Sequence, residues 1–522
     1  MNKSQIDRRR FLWSTGGGLG GVALAHLLGA EGLLAGEVSP SERARSRPEW
    51  NGGLHHRAKA RRVVELFMSG AASQCDTFDY KPMLIQKHGQ KFDPGGKVEL
   101  FQSVPGAVMK SPWGWRQYGE SGKWMSDLVP NLAGCVDRMA FLPSMISKSN
   151  VHGPATFLQN TGFVLPGFPS FGAWVSYGLG SLSENLPSFV VLPDSRGFAP
   201  NGPANWAAGF LPAAYQGTMV KASSKNPIFD LFPPDDPGIT PESGRDGLAV
   251  LGALNRAHRE SREGDSRLDA RIASYELAAK LQLSAPEVLD IANESWAVRA
   301  LYGLDEPSTS DFGRNCLIAR RLLERGVRFV QVWSGADNGF PRRNWDSHED
   351  IARDHGDMGR SMDRPAAALI QDLEARGLLD ETLVIWTTEF GRMPCSQGGK
   401  GRDHNPSAFT SWLAGGGIKG GVTYGASDEW SYRAAEDPTS GYDLHATALH
   451  LLGIDHTRLT FRHNGIDDEL PTSVLIGPDG KIYPRKFELT WTIKSLARVL
   501  GTWRPPSPDE FLPRAPVTPG SP

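Results

Sequence analysis

The chain has 522 residues, 39% hydrophobic and 22% charged, enough for one large domain with insertions or for two to three ordinary ones. A formal net charge of −2 excludes the strongly basic surface that a nucleic-acid partner needs. The four cysteines, Cys75, Cys135, Cys316 and Cys395, form no C-x-x-C pair, which excludes a zinc ribbon or thioredoxin motif, and they are too few for a disulfide framework. They read as buried small hydrophobes.

Residues 1–36 read as a targeting segment. Asp7-Arg8-Arg9-Arg10-Phe11-Leu12 is similar to a twin-arginine export motif, with Arg8-Arg9 as the pair. The stretch from Gly16 to Ala35 is only mildly apolar and is broken by Gly and His, so a stable membrane span is not expected. Export by the twin-arginine machinery would place the protein in the periplasm or outside the cell. Residues 37–60 are polar and Arg-rich and read as a linker.

A main domain is expected over 61–480. It opens on the apolar run Val63-Val64-Glu65-Leu66-Phe67-Met68, which stops at Ser69-Gly70 as a buried first strand would. Residues 127–142 read as a helix followed by a strand, and 188–192 as a further strand. The segment 244–300 is rich in Ala, Leu, Arg and Glu at helical spacing and reads as a helical insertion. From Asn315 helices and strands alternate. Helices end at Gly326, Gly377 and Gly453, the second of them read from Pro365, and strands lie at 327–333, 383–388 and within 407–418. This alternation predicts an α/β fold with parallel pairing and crossover helices, and active-site residues at the carboxyl ends of the strands. Residues 481–522, ending in a proline-dense tail, read as an irregular extension.

Polar clusters fall where those strands end. Asp346 and His348 follow the strand at 327–333 and, two residues apart in extended chain, share one face. Glu389 directly follows the strand at 383–388, where a carboxylate is costly unless paired or metal-bound; a Glu389–Arg392 ion pair is the plainer alternative. His404 sits in Arg402-Asp403-His404-Asn405-Pro406, with Asp403 a second ligand or a partner for an imidazole. Asp76, after the first strand, is the nearest carboxylate able to turn back to the sheet end, with Asp79 its competitor. His152 opens a short helix after a small polar turn. His445 is a weaker candidate, and His450 and His456 read as structural.

These stretches resemble a bacterial family named only as domain of unknown function 1501. The resemblance rests on "VVELFMSGAASQCDTFDYKP", "SNVHGPATFLQNTG", "WDSH", "LDETLVIWTTEFGRMP", "GRDHNPSAF" and "DLHATALHLLGIDHTRLTFRHNGID". That family is similar to the alkaline phosphatase and sulfatase superfamily, which implies a mixed, mostly parallel sheet with helices on both faces and metals at the strand ends. Glu389 then falls at an Asp ligand position, Phe390 replaces a ligand of a second metal, and His152 stands where sulfatases carry their modified cysteine. Asp346, His348 and His404 look like ligands of one metal, with Glu389 and Asp76 near a second position.

The expectation is an exported hydrolase of phosphate or sulfate esters that uses a divalent metal. Mixed carboxylate and imidazole ligands suit Zn or Mn more than Ca. His152 is the expected general acid, base or extra ligand, and Arg392 the expected clamp for an anionic ester, with a sulfated polysaccharide among the expected substrates. The alternative is a binding or structural protein on an inherited enzyme scaffold, because no Cys, Ser or Thr stands clearly at a nucleophile position.

Overall fold

The computed structural model describes residues 54–470 apart from 99, 102, 225–226, 229–240, 261–286 and 464–465. The expected leader (1–36), most of the linker, the C-terminal extension (481–522) and the stretch 261–286 of the expected insertion lie outside the described residues.

Eight strands build the central sheet: β1 (Arg62–Met68), β2 (Met139–Met145), β3 (Phe189–Leu192), β4 (Thr218–Met219), β5 (Phe329–Ser334), β6 (Thr382–Thr387), β7 (Phe409–Ala414) and β8 (Val422–Thr423). Their order across the sheet is β8-β2-β7-β6-β1-β5-β3-β4. β1 pairs in parallel with both β5 and β6, and β3 in parallel with β5 and β4. The fold is therefore α/β with a mixed, mostly parallel sheet.

β3, β5, β6 and β7 are buried along their whole length, so their sequences are nearly continuous apolar runs rather than alternating ones. Side-chain alternation in β1 divides the core. Val64, Leu66 and Met68 pack with Cys316 and Leu317 of helix α3 and with Leu369 and Ile370 of α4, while Val63 and Phe67 pack with Trp174 of α2 and Leu449 of α5. The described helices include α1 (His152–Thr161), α2 (Phe171–Leu179), α3 (Ser310–Glu324), α4 (Ile351–Ala375) and α5 (Gly441–Leu451). They cover both faces. All four cysteines are free and buried.

The sheet is mostly parallel as expected, and β7 is an exception to the parallel pairing, running antiparallel to β6 and β2. No crossover helix separates β6 from β7. Gly391–Arg392 pairs with His404–Asn405 in a small antiparallel ribbon at the carboxyl end of β6, so the chain re-enters the sheet from the end it left. Helix α4 begins at Ile351 and carries Pro365 in its interior, rather than starting at the proline. The lost backbone hydrogen bond is outweighed by burial of Ile351, Met358 and Met362 ahead of it. Further along the chain, 241–260 and 296–301 are helical. No helix among the described residues is long and apolar enough to cross a membrane.

Candidate metal centre

Four strand-end segments converge beyond β1, β5 and β6. The turn after β1 is tight: Gly70 has φ +105°, and a Cβ there would lie 2.5 Å from Asp346 N and 2.6 Å from Trp345 N. Trp345 N donates to Ser69 O at 2.9 Å, and Asp346 N to Asn344 Oδ1 at 3.0 Å. This close crossing brings Asp346, twelve residues past β5, back beneath the end of β1. His404 enters from the ribbon strand and His152 from the first turn of α1.

Three imidazoles meet at one carboxylate oxygen. Asp346 Oδ1 lies 3.3 Å from His152 Nε2, 3.0 Å from His348 Nε2 and 3.4 Å from His404 Nε2. His348 Nε2 and His404 Nε2 are 3.0 Å apart. Each ring is held from its other nitrogen: Nδ1 of His152 donates to Glu389 Oε1 at 2.6 Å, that of His348 to Gln397 Oε1 at 2.6 Å, and that of His404 to the carbonyl of Asn150 at 2.6 Å. A backbone carbonyl can only accept, so His404 Nδ1 carries the proton and the neutral ring turns an unprotonated Nε2 inward. Outward-held Nδ1 protons with inward Nε2 atoms are how metal-binding histidines are oriented.

The electrostatics agree. Burial drives His404 down to about 4, further than Asp346 pulls it up, so the ring is neutral at neutral pH. Burial acts to raise Asp346, but Arg392 and the three imidazoles outweigh it and hold the carboxyl far below the usual range. Burial acts to lower His152, but its contacts with Asp346 and Glu389 win and raise it. Its Nε2 is buried, and the approach to Asp346 is not directed as a hydrogen bond. Inward nitrogen lone pairs around a carboxylate repel one another unless positive charge lies among them. The Arg392 guanidinium, 2.6 Å from Asp346 Oδ1, supplies part of that charge, and a divalent cation would supply more.

His152, Asp346 and His404 thus form a candidate metal site, the one found among the described residues, with ligand atoms within 4.8 Å of one another. Phe390 packs against His152 and His404, with centroids 4.9 and 4.8 Å away, and Phe101 stacks on His404 at 4.6 Å. Phe390 is buried and Phe101 is 38% exposed, so the rings flank the centre from inside and from the surface.

Three expected site residues have other surroundings. Glu389 is fully buried and orients His152 while accepting from Gly70 N at 2.8 Å and from the Thr388 hydroxyl at 3.1 Å. Arg392, expected to clamp an anionic ester, points inward. Its guanidinium donates to the carbonyls of Gly70, Ala71 and Arg402 and to Asp346 Oδ1 at 2.6 Å, which leaves no fork for a ligand. Asp76, expected near a second metal, is held through both oxygens by Arg402 at 2.8 and 3.1 Å, so its charge is spent on a buried ion pair. Asp79 accepts from Ser427 and Ser431 instead. Asp403 accepts from the Ser103 hydroxyl and from the N–H of His404. His445 is buried against Phe171 and bonded to the carbonyl of Gln159, apart from the centre.

Gln397, the Asn150 carbonyl and Arg342, which donates to Asp346 Oδ2 at 2.8 Å, were not read from the sequence. Only Arg342 carried a signal, four residues ahead of Asp346.

A family model described as "Protein of unknown function (DUF1501)" matches residues 60–475. No curated protein matches. Among solved structures, a lipoteichoic acid synthase from Listeria monocytogenes is 10% identical over 83% of this chain and 79% of its own, with TM-score 0.33. A sulfatase from Pseudoalteromonas sp. is 12% identical over 82% and 74%, with TM-score 0.33. A phosphonate monoester hydrolase of Agrobacterium radiobacter is 13% identical over 85% and 83%, with TM-score 0.29. Likeness at this level leaves the chemistry to be argued from this chain's own geometry.

Proposed function

The chain belongs to the family described as "Protein of unknown function (DUF1501)", and from that premise we propose that it is an exported, metal-dependent hydrolase of phosphate or sulfate esters. The observation that carries the reading is the convergence of three Nε2 atoms on Asp346 Oδ1, each ring held from behind. Export is supported by Arg8-Arg9 ahead of the Gly/Ala/Leu-rich stretch.

His152, Asp346 and His404 would hold the metal, with His348 as a fourth donor. Imidazole with carboxylate suits Zn or Mn over Ca. Bound there, a divalent cation supplies Lewis acidity toward an ester oxygen and lowers the pKa of a water. The protein's own part is to hold the rings in one tautomer through Glu389, Gln397 and Asn150, to fix Asp346 between Arg392 and Arg342, and to pack the buried Phe390 ring against His152 and His404. Low local dielectric strengthens every charge interaction in such a site. Hydrolysis of a model sulfate or phosphate ester that is lost on chelation, restored by Zn or Mn, and absent in His404→Ala is the expected result. Turnover indifferent to chelation overturns the reading.

One observation favours a second reading, a binding or structural protein. If His348 is a permanent ligand, four protein donors close the site, as in structural metal centres, whereas catalytic centres keep a position open. His348→Ala separates the two: an enzyme with an exchangeable His348 retains metal and activity, whereas a closed structural centre loses metal and stability together.

A further inference from the structure

A second site lies on the other side of the β5 strand end. A cavity of about 310 Å³ opens between the carboxyl ends of β3 and β5 and the first turn of α3, flanked by α4. Its size falls within the range of about 300–1,000 Å³ usual for small-molecule sites, and its position is where open α/β sheets bind ligands. None of the metal-centre residues lines it.

The lining chemistry selects the ligand. Asp194 holds Arg196 through two contacts of 2.8 and 2.7 Å, Asp311 accepts from the Ser195 hydroxyl at 2.6 Å, and Asp357 is paired with Arg360. The wall carries three carboxylates against two guanidinium groups, and Asp311 meets only a hydroxyl, so the negative excess disfavours an anion and leaves Asp311 as an acceptor. The cavity offers carboxylate acceptors beside guanidinium and hydroxyl donors, with Pro307 and Phe312 as apolar lining. A vicinal diol matches that alternation, because each hydroxyl donates to a carboxylate and accepts from a neighbouring guanidinium.

We propose that this cavity binds a neutral polyhydroxylated ligand of monosaccharide size. The wall is stiff: Asp194 Oδ2 also accepts Gly335 N at 2.7 Å, and Gly335 packs against Ser69 and Asn344, the turn that seats Asp346. The site therefore neighbours the metal centre but has its own residues, and the proposal stands whether or not the metal reading does.

The test is binding of D-glucose, D-galactose, D-xylose and myo-inositol, with L-alanine as a zwitterionic control, by saturation-transfer NMR and calorimetry. Chelated and Zn-loaded protein are compared. At least one polyol is expected to bind in both states, with Kd on the order of 1 mM. Arg360→Ala and Ser308→Trp both alter exposed lining residues, the first removing a donor and the second filling the cavity. Each is expected to weaken binding at least tenfold without moving Tm. Binding of no polyol, binding of L-alanine alone, or polyol binding unchanged in both variants overturns the proposal. Loss of metal binding or ester turnover with polyol binding intact would overturn only the hydrolase reading.

Discussion

At the scale of single residues, the charges in this protein are set by which neighbour each side chain meets. Glu65, buried in β1, meets no cation. It accepts from Gln331 Nε2 at 2.9 Å, the same amide donates to Asn160 Oδ1 at 2.6 Å, and burial raises Glu65 to about 7. A carboxyl whose folded pKa lies above its unfolded one binds the proton more tightly when folded. Its contribution is present in full below about 4.5, and stability falls as pH rises from there to about 7. Replacing Glu65 with Gln is expected to remove a pH-dependent loss of about 3 kcal/mol over that window, read as the difference between wild-type and variant denaturation curves. Parallel curves would contradict it. Glu389 shows the opposite balance: burial acts to raise it, but His152 and the hydrogen bond from Gly70 hold it low. Glu389→Gln keeps the shape but weakens the hold on His152, and metal affinity is expected to fall about 10–100-fold, measured by competition with a chelating dye.

At the scale of elements, the strand ends carry the site, and the close crossing of the β1 turn over the Trp345-Asp346 backbone decides where Asp346 sits. Gly70→Ala adds a Cβ that meets two backbone nitrogens at about van der Waals overlap, in a left-handed conformation that disfavours side chains. The expected outcome is displacement of Asp346: metal binding lost and Tm lowered, with the far-UV spectrum retained. Much of this layer was legible in the sequence. β1, β5 and β6 are mostly apolar runs, broken by Glu65 and Gln331, with polar residues at or just past their carboxyl ends, as suits buried parallel strands. The direction of β7 was not, because strand direction depends on what the chain does between strands, and the ribbon of 391–392 with 404–405 is only two residues long on each side. The start of α4 was missed because Pro365 reads as a first-turn residue when the burial of Met358 and Met362 is unknown.

At the scale of the whole molecule, the residue types of the candidate metal centre were legible in the sequence but not every role. Asp346, His348, His404 and His152 come together with Arg392 held against Asp346, whereas Asp76 turns away into a buried pair with Arg402. Residue type and strand-end position suggest that a charged group is held; only the packing shows by whom. The Asp76–Arg402 pair is fully buried and joins the loop after β1 to the ribbon that carries His404. Asp76→Ala strands a buried guanidinium and is expected to cost about 3–5 kcal/mol in chemical denaturation. A small change would mean that water reaches Arg402.

The central claim is that the imidazoles around Asp346 hold a divalent metal. The most direct measurement is elemental analysis of the purified full chain and of His404→Ala, each before and after dialysis against Zn or Mn. The account predicts close to one equivalent in the wild type and a large loss in the variant, with both proteins folded. A wild type that takes up no metal, or a variant that holds as much as the wild type, would contradict it.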